Sequence, residues 1–295
     1  MPADASAMAD VPASLSRLLT AAASRAGVPP YAATNTMIYF NWEHKSLRAS
    51  DNYEPAQLAH GIVPRFALLS PSQGQSSMRN FILLHLEQEN AASVAFHAFS
   101  QAALGADLHN ATHVSQSLEQ ALYALRGINK IFRKYMTAGS IVPSDWRDYM
   151  LPFLSTDDAG KGGVTGAECS FVRGLDTIFG APEASNADTH KQFDIASASY
   201  TTQQANLMEH LKQAGSAIRT YVPESTTEIK TLWQACGDTF LNWRAMHYRR
   251  IQKFVHEDYH TSAGNTHTSA GGVFNKLDDR IRDFGSANCS SVSVG

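Results

Sequence analysis

The sequence is short of cysteine, of long apolar runs and of any block of like charge, and each shortage closes off a class of protein. No stretch approaches the roughly 20 consecutive apolar residues that a membrane-spanning helix needs, so no membrane role is expected. The opening residues, MPADASAMADVPASLSRLL, lack a basic head followed by an apolar core and do not read as a secretory signal. The cysteines, Cys169, Cys236 and Cys289, are three and widely spaced. They suit neither a disulfide framework nor a zinc cluster and read as free thiols of a reducing cytoplasm. Twelve histidines are many, yet none stands in an H-E-x-x-H or Cys/His zinc spacing. A formal net charge of −3 with no lysine/arginine-rich run argues against nucleic acid or an anionic membrane surface as the main partner.

What is present is a globular chain. At 295 residues and 43% hydrophobic, it has ample material for a core, and disorder is expected only in the tails, residues 1–12 and 284–295. Residues 13–283 read as a single helical domain. A first helix is predicted from about Pro12 to Ala26, ending at Gly27 and the Pro29–Pro30 pair. Long helices follow at about 76–104 and 110–136, then a shorter one in FVRGLDTIFG, and two more at about 200–214 and 216–222. No strand-like alternation of useful length is found. The fold class is all-α, with about ten helices and no internal repeat.

The longest amphipathic stretch, 228–259, organises the rest. Ile229, Leu232, Cys236, Phe240, Trp243, Ile251 and Phe254 recur at steps that mark one buried stripe of a helix. Inside that stripe, at a position calling for an apolar residue, stands His247, with Arg244 a turn earlier. One reading is a neutral core imidazole bonded to a nearby polar group. The other is an axial ligand pointed by a rigid helix at a haem iron, with apolar walls for the macrocycle. Position alone leaves both open. A second histidine, His85, lies within the apolar set of the 76–104 helix, with Glu89 one turn on.

Five stretches, in order, resemble one superfamily. They are GVPPYAATNTMIYFNW (27–42), FILLHLEQE (81–89), WRDYM (146–150), TGAECSFVRGLDTIFG (165–180) and IRTYV followed by WQACGDTFLNWRAMHYRRIQKFV (218–255). Together they resemble the haem-dependent indoleamine 2,3-dioxygenase and tryptophan 2,3-dioxygenase group, from about residue 26 to 275. The resemblance implies an indoleamine 2,3-dioxygenase-like helical bundle enclosing haem. It makes His247 the proximal iron ligand and Asp176 the acceptor of its Nδ1–H, the usual outer support of a metal-bound imidazole. Arg244 would meet a haem propionate, and Thr165 and Gly166, with Ala167, would contact haem and substrate. Arg147 would hold the substrate carboxylate through its planar fork, although its neighbours Asp145 and Asp148 also suit a surface ion pair. Phe81, Thr34 and Thr268 would line the substrate pocket, and the small-residue loop 261–272 would close over it.

Two departures matter. The indoleamine dioxygenases carry a serine where this chain has His85, and the closing loop here reads NTHTSAGG. A histidine above iron suits a different task, moving a proton between the two oxygens of a bound peroxide so that their bond breaks heterolytically. Glu89 is placed to orient it. Both departures point to the histidine-bearing branch, which resembles the haem-dependent L-tyrosine hydroxylases of antibiotic biosynthesis. The expected activity is therefore hydroxylation of a free aromatic amino acid, L-tyrosine to 3,4-dihydroxyphenylalanine, with hydrogen peroxide or reduced dioxygen. With no C-x-x-C-H, and no cysteine four residues after a histidine, the cofactor expected is haem b. A cytoplasmic location is expected, and the reading is compatible with a homodimer. The alternatives are an indole-oxidising haem enzyme, a haem carrier or sensor without turnover, and a helical protein without cofactor. His260 and His267, near the closing loop, read as solvated rather than substrate-binding.

Overall fold

The structure, a computed structural model, describes residues 13–26, 42–44, 62–64, 75–146, 169–181, 197 and 200–251. Thr34, Arg147, Thr165, Gly166, Thr268, His260, His267, the closing loop and both tails lie outside the described residues. Described elements are α1 (Ala13–Ala26), β1 (Trp42–His44), β2 (Ile62–Pro64), α2 (Gln75–Asp107), α3 (Ala111–Tyr135), α4 (Ser170–Ile178), α5 (Thr202–Tyr221) and α6 (Thr227–Ile251). The fold is all-α, as the periodicity predicts. Among the described residues the one addition to the helices is an antiparallel ribbon pairing Trp42 with Pro64 and His44 with Ile62. Strands of three residues are too short to print an alternation in the sequence.

The α2–α3 hairpin is the frame. The face of α2 toward α3 is built from small residues, Ala92, Ala95, Ala98, Ala102 and Ala106, all buried, which lets two long helices approach closely. The turn between them uses His109 at φ 51°, while the Asn110 side chain accepts from the His113 amide at 3.1 Å and caps α3. α6 then lies along α3 in the same direction: Ser115 bonds Glu228, Asn129 bonds the Thr239 carbonyl, and Arg133 reaches Met246. Its buried stripe is Ile229, Trp233, Cys236, Phe240 and Trp243. Trp233, not Leu232, fills the second position.

The short α4 is buried along its whole length, Ser170 to Ile178, between α2, α5 and α6. Two glycines permit this. A Cβ on Gly174 would lie 2.8 Å from Leu211 Cδ1 and run into the Phe96 ring, and one on Gly215 would lie 2.7 Å from Ile178 Cα and run into its carbonyl. Gly215 also explains a difference from the sequence reading, which ends one helix at 214 and starts another at 216. The glycine is a crossing point rather than a break, and α5 runs unbroken from Thr202 to Tyr221. The Val222–Glu224 turn after it is 3₁₀. Among the described residues no helix is long and apolar enough to cross a membrane.

The contrast between glycines gives a test. Alanine is favoured over glycine in a helix interior by about 1 kcal/mol. Gly127 in α3 has nothing within 4 Å of a would-be Cβ, so Gly127→Ala should raise the urea midpoint. Gly215→Ala should lower it, with a loss of about 1–3 kcal/mol in unfolding free energy, because the atoms it meets are backbone and cannot swing aside. Equal signs for the two substitutions would contradict the crossing.

Candidate functional site

His85 is 8% exposed on α2. Its Nδ1 lies 2.8 Å from the Phe81 carbonyl; since a carbonyl only accepts, Nδ1 carries the hydrogen and Nε2 keeps its lone pair. Phe81 meets the imidazole edge-on at 4.4 Å and Trp146 at 5.2 Å. Burial pushes the His85 pKa down to about 4, against a weaker upward pull from the Phe81 hydrogen bond. The ring is neutral at physiological pH.

His247 sits at the end of an aromatic column. Phe179 stacks on Phe240, Phe240 on Trp243, and Trp243 on the His247 ring at 4.9 Å and 17°. The three α6 members stand at i, i+3 and i+7, one face of the helix. Phe132 closes a second side at 5.9 Å. Although part of His247 remains exposed, desolvation holds it well below the ordinary imidazole range, followed by the charges of His85 and Arg244. Among those charges, a proton on His85 would further disfavour one on His247.

The polar residues are arranged differently from the expectation. Asp176 is expected to accept from His247; instead its Oδ1 accepts from Arg244 Nη2, and its Oδ2 lies 3.7 Å from Arg173 Nη1. Asp176 and Arg173 are each 2% exposed and Arg244 6%, and the Arg244 guanidinium also lies over the Phe240 ring, 4.9 Å from its centroid. Asp176 therefore bears on His247 through Arg244, one turn before it on α6. Arg244, expected at a propionate, already has a buried acidic partner. Arg173 was missed by the sequence reading; its signal was a cation three residues before Asp176 in an otherwise apolar helix. Glu89 also departs from expectation, its Oε1 accepting from the Phe171 amide at 3.1 Å while His85 is oriented by Phe81.

The chain matches no family model, and no curated protein matches it.

What the site can hold is then a question of chemistry. Among the described residues no group of three His, Cys, Asp or Glu could cage a metal ion. A haem iron needs no cage, because four of its ligands are the macrocycle's own nitrogens. Neutral His247 on a rigid helix, beside Trp243 and Phe132, fits that single requirement. The Trp243 indole N–H is buried and has no acceptor among the described residues, a mark of a site completed by something further. Cys236 does not fit as a ligand. Burial pushes the Cys236 thiol up to about 12, and it points at the Leu118 carbonyl at 3.6 Å.

The approach to Arg147 is built firmly. The Ser77 hydroxyl donates to buried Asp145 at 2.6 Å and accepts from the Val142 amide at 3.0 Å, and Asn80 donates to the Ser140 carbonyl at 2.7 Å. Asp145 is thus engaged inside the fold rather than offered as a surface partner for its neighbour. Trp146, the last described residue before Arg147, packs beside Phe81 and so on the His85 side.

Two outcomes check this picture. Asp176→Asn removes the buried carboxylate that the Arg173 and Arg244 guanidinium groups face and should cost about 3–5 kcal/mol in urea unfolding; a loss within experimental error would refute the cluster. The second is pH. The unfolded chain takes up a proton on His85 near 6.5, the folded chain only near about 4. Stability is therefore full above about 6.5 and drains as pH falls across that window. The urea midpoint of the chain without added cofactor should fall from about pH 7 to about pH 4. His85→Gln should flatten that fall, and an unchanged slope would show that His85 is not buried neutral.

Proposed function

We propose that this protein is a haem b-dependent oxidoreductase that hydroxylates the ring of a free aromatic amino acid, L-tyrosine to 3,4-dihydroxyphenylalanine, with hydrogen peroxide or reduced dioxygen. The observation that supports it most is the pair of imidazoles, His85 and His247, on separate helices, each held below the ordinary imidazole range by desolvation and each walled by aromatic rings. The ordered resemblance of five segments to the haem-dependent aromatic oxygenases supplies the chemical class. Bound at His247, the haem would supply activation of the oxidant and transfer of its oxygen.

The chain's own residues would do the rest. His247 would donate its lone pair, and burial keeps that lone pair free of a proton. His85, locked as the Nδ1–H tautomer by Phe81, presents Nε2 as a proton acceptor. Its depressed pKa makes the proton, once taken, quick to return. Arg147 would anchor the substrate carboxylate, with Phe81, Thr34 and Thr268 along the ring and Thr165 and Gly166 near the haem edge. Phe81 is the described member of that set, and it touches both His85 and Trp146. A cytoplasmic setting accords with the buried thiol of Cys236.

The test is direct. The purified protein is loaded with haem, its visible spectrum recorded, and peroxide added with tyrosine or tryptophan in turn. We expect a catechol product from tyrosine, loss of the haem band in His247→Ala, and turnover reduced by about 10²–10⁴-fold in His85→Gln with haem content kept. Consumption of tryptophan with no product from tyrosine would shift the reading to an indole-oxidising enzyme. A tight six-coordinate spectrum that needs His85, with no product from either, would make the protein a haem carrier or sensor, and a colourless sample would end the haem reading.

A further inference from the structure

Glu89 has a defined place that the site as described does not use. It stands one turn beyond His85 on α2, yet its carboxylate is spent on a different helix, accepting the Phe171 amide in the first turn of α4. That helix has no side-chain cap of its own, since Cys169 at its start makes no capping bond. A carboxylate there satisfies an orphan amide and complements the positive end of the helix. The Phe171 ring is 1% exposed and meets the Trp243 indole edge-on at 5.0 Å. Trp243 in turn is the surface on which His247 stacks.

We propose that Glu89 is a positioning residue for His247: by holding the Phe171 backbone, it sets the depth of the Phe171–Trp243 wall and so the orientation of the His247 ring. The helix that carries His85 thereby also aims the opposite histidine. The chain of contacts is short and each link is rigid: a hydrogen bond to backbone, two buried aromatic rings, and a parallel stack along one helix face. Gly174, three residues on from Phe171, presses against Phe96 of α2, so α4 has no slack with which to absorb a shift at its first turn. The proposal rests on the haem reading only for what His247 is aimed at; the geometry itself belongs to the chain without cofactor.

The experiment uses the full chain without haem, with histidine ring carbons labelled, and follows the Cε1–H signal of His247, identified as the peak lost in His247→Gln. Stacked on an indole, that proton carries a ring-current displacement. Glu89→Ala should move it toward the unstacked position, Glu89→Gln, which keeps an acceptor, should restore most of it, and the His85 signal should stay. Asn110→Ala, which removes the cap of α3, is the control for general loss of stability and should leave His247 in place. If Glu89→Ala does not fold, Phe171→Leu tests the next link and should give the same displacement. An unmoved His247 signal in the folded variant, or equal movement in the control, overturns the proposal. Haem added afterwards separates the two readings: a wild-type chain that takes up none defeats the proposed function, and the ring signal still decides the role of Glu89. If haem binds, its absorption band should shift in Glu89→Ala and return in Glu89→Gln.

Discussion

A carboxylate buried between two guanidinium groups sets the terms for the rest of this molecule. Asp176 lies in the last turn of a fully enclosed nine-residue helix, and burying it alone would cost several kcal/mol. Arg173 on the same helix and Arg244 on α6 meet that demand. The consequence is geometric. Arg244 is three residues before His247, so the ion pair fixes the rotation of α6 and decides which way the histidine faces. Apolar groups in place of the charges can pack as well, but the setting of α6 against α4 would no longer be specified by direction.

α4 is held at both ends as well as at Asp176. Glu89 of α2 takes an amide at its start, and Arg219 of α5 donates to the Thr177 and Ile178 carbonyls at its end. Negative charge at the first turn and positive charge at the last both suit the helix dipole. So three helices, carrying His85, Arg219 and His247, are tied to one short element by charge-assisted bonds. The close packing at Gly174 and Gly215 already limits how α4 can shift, and the directional bonds at three points add a fixed orientation to it.

Much of this was legible in the sequence, and the boundary of legibility follows physical scale. Long periodic helices show plainly because many residues vote for the same face: α2 and α3 end within a few residues of where the pattern places them. His85 and His247 stand out for the same reason, as polar residues where the stripe demands apolar ones. Pairings between helices leave no such trace. Nothing local to Asp176 says that it answers Arg244 rather than His247, since both lie on one face of α6 a turn apart. Nothing local to Glu89 says that it reaches over to α4 rather than along its own helix to His85. Gly215 misleads for a related reason: a glycine that ends a helix and one that lets another backbone approach look identical until the neighbour, Ile178, is in view.

The same reasoning explains why burial and function are compatible here. A buried histidine is ordinarily a cost, because the folded chain refuses a proton the unfolded chain would take. For an iron ligand the refusal is the useful property, since only the neutral ring has a lone pair to give. For an acid–base group it is useful in moderation. Phe81 limits how far His85 is depressed by accepting its Nδ1–H, and the hydrogen bond chooses which nitrogen remains open. His247 receives no such relief from Asp176, which is committed to the arginines, and the Arg244 charge beside it pushes further in the same direction. The two imidazoles thus differ in their surroundings: His85 has its Nδ1–H tied to a carbonyl, while His247 has a cation beside it and no carboxylate to offset it, a difference in the direction that the two proposed roles would ask for.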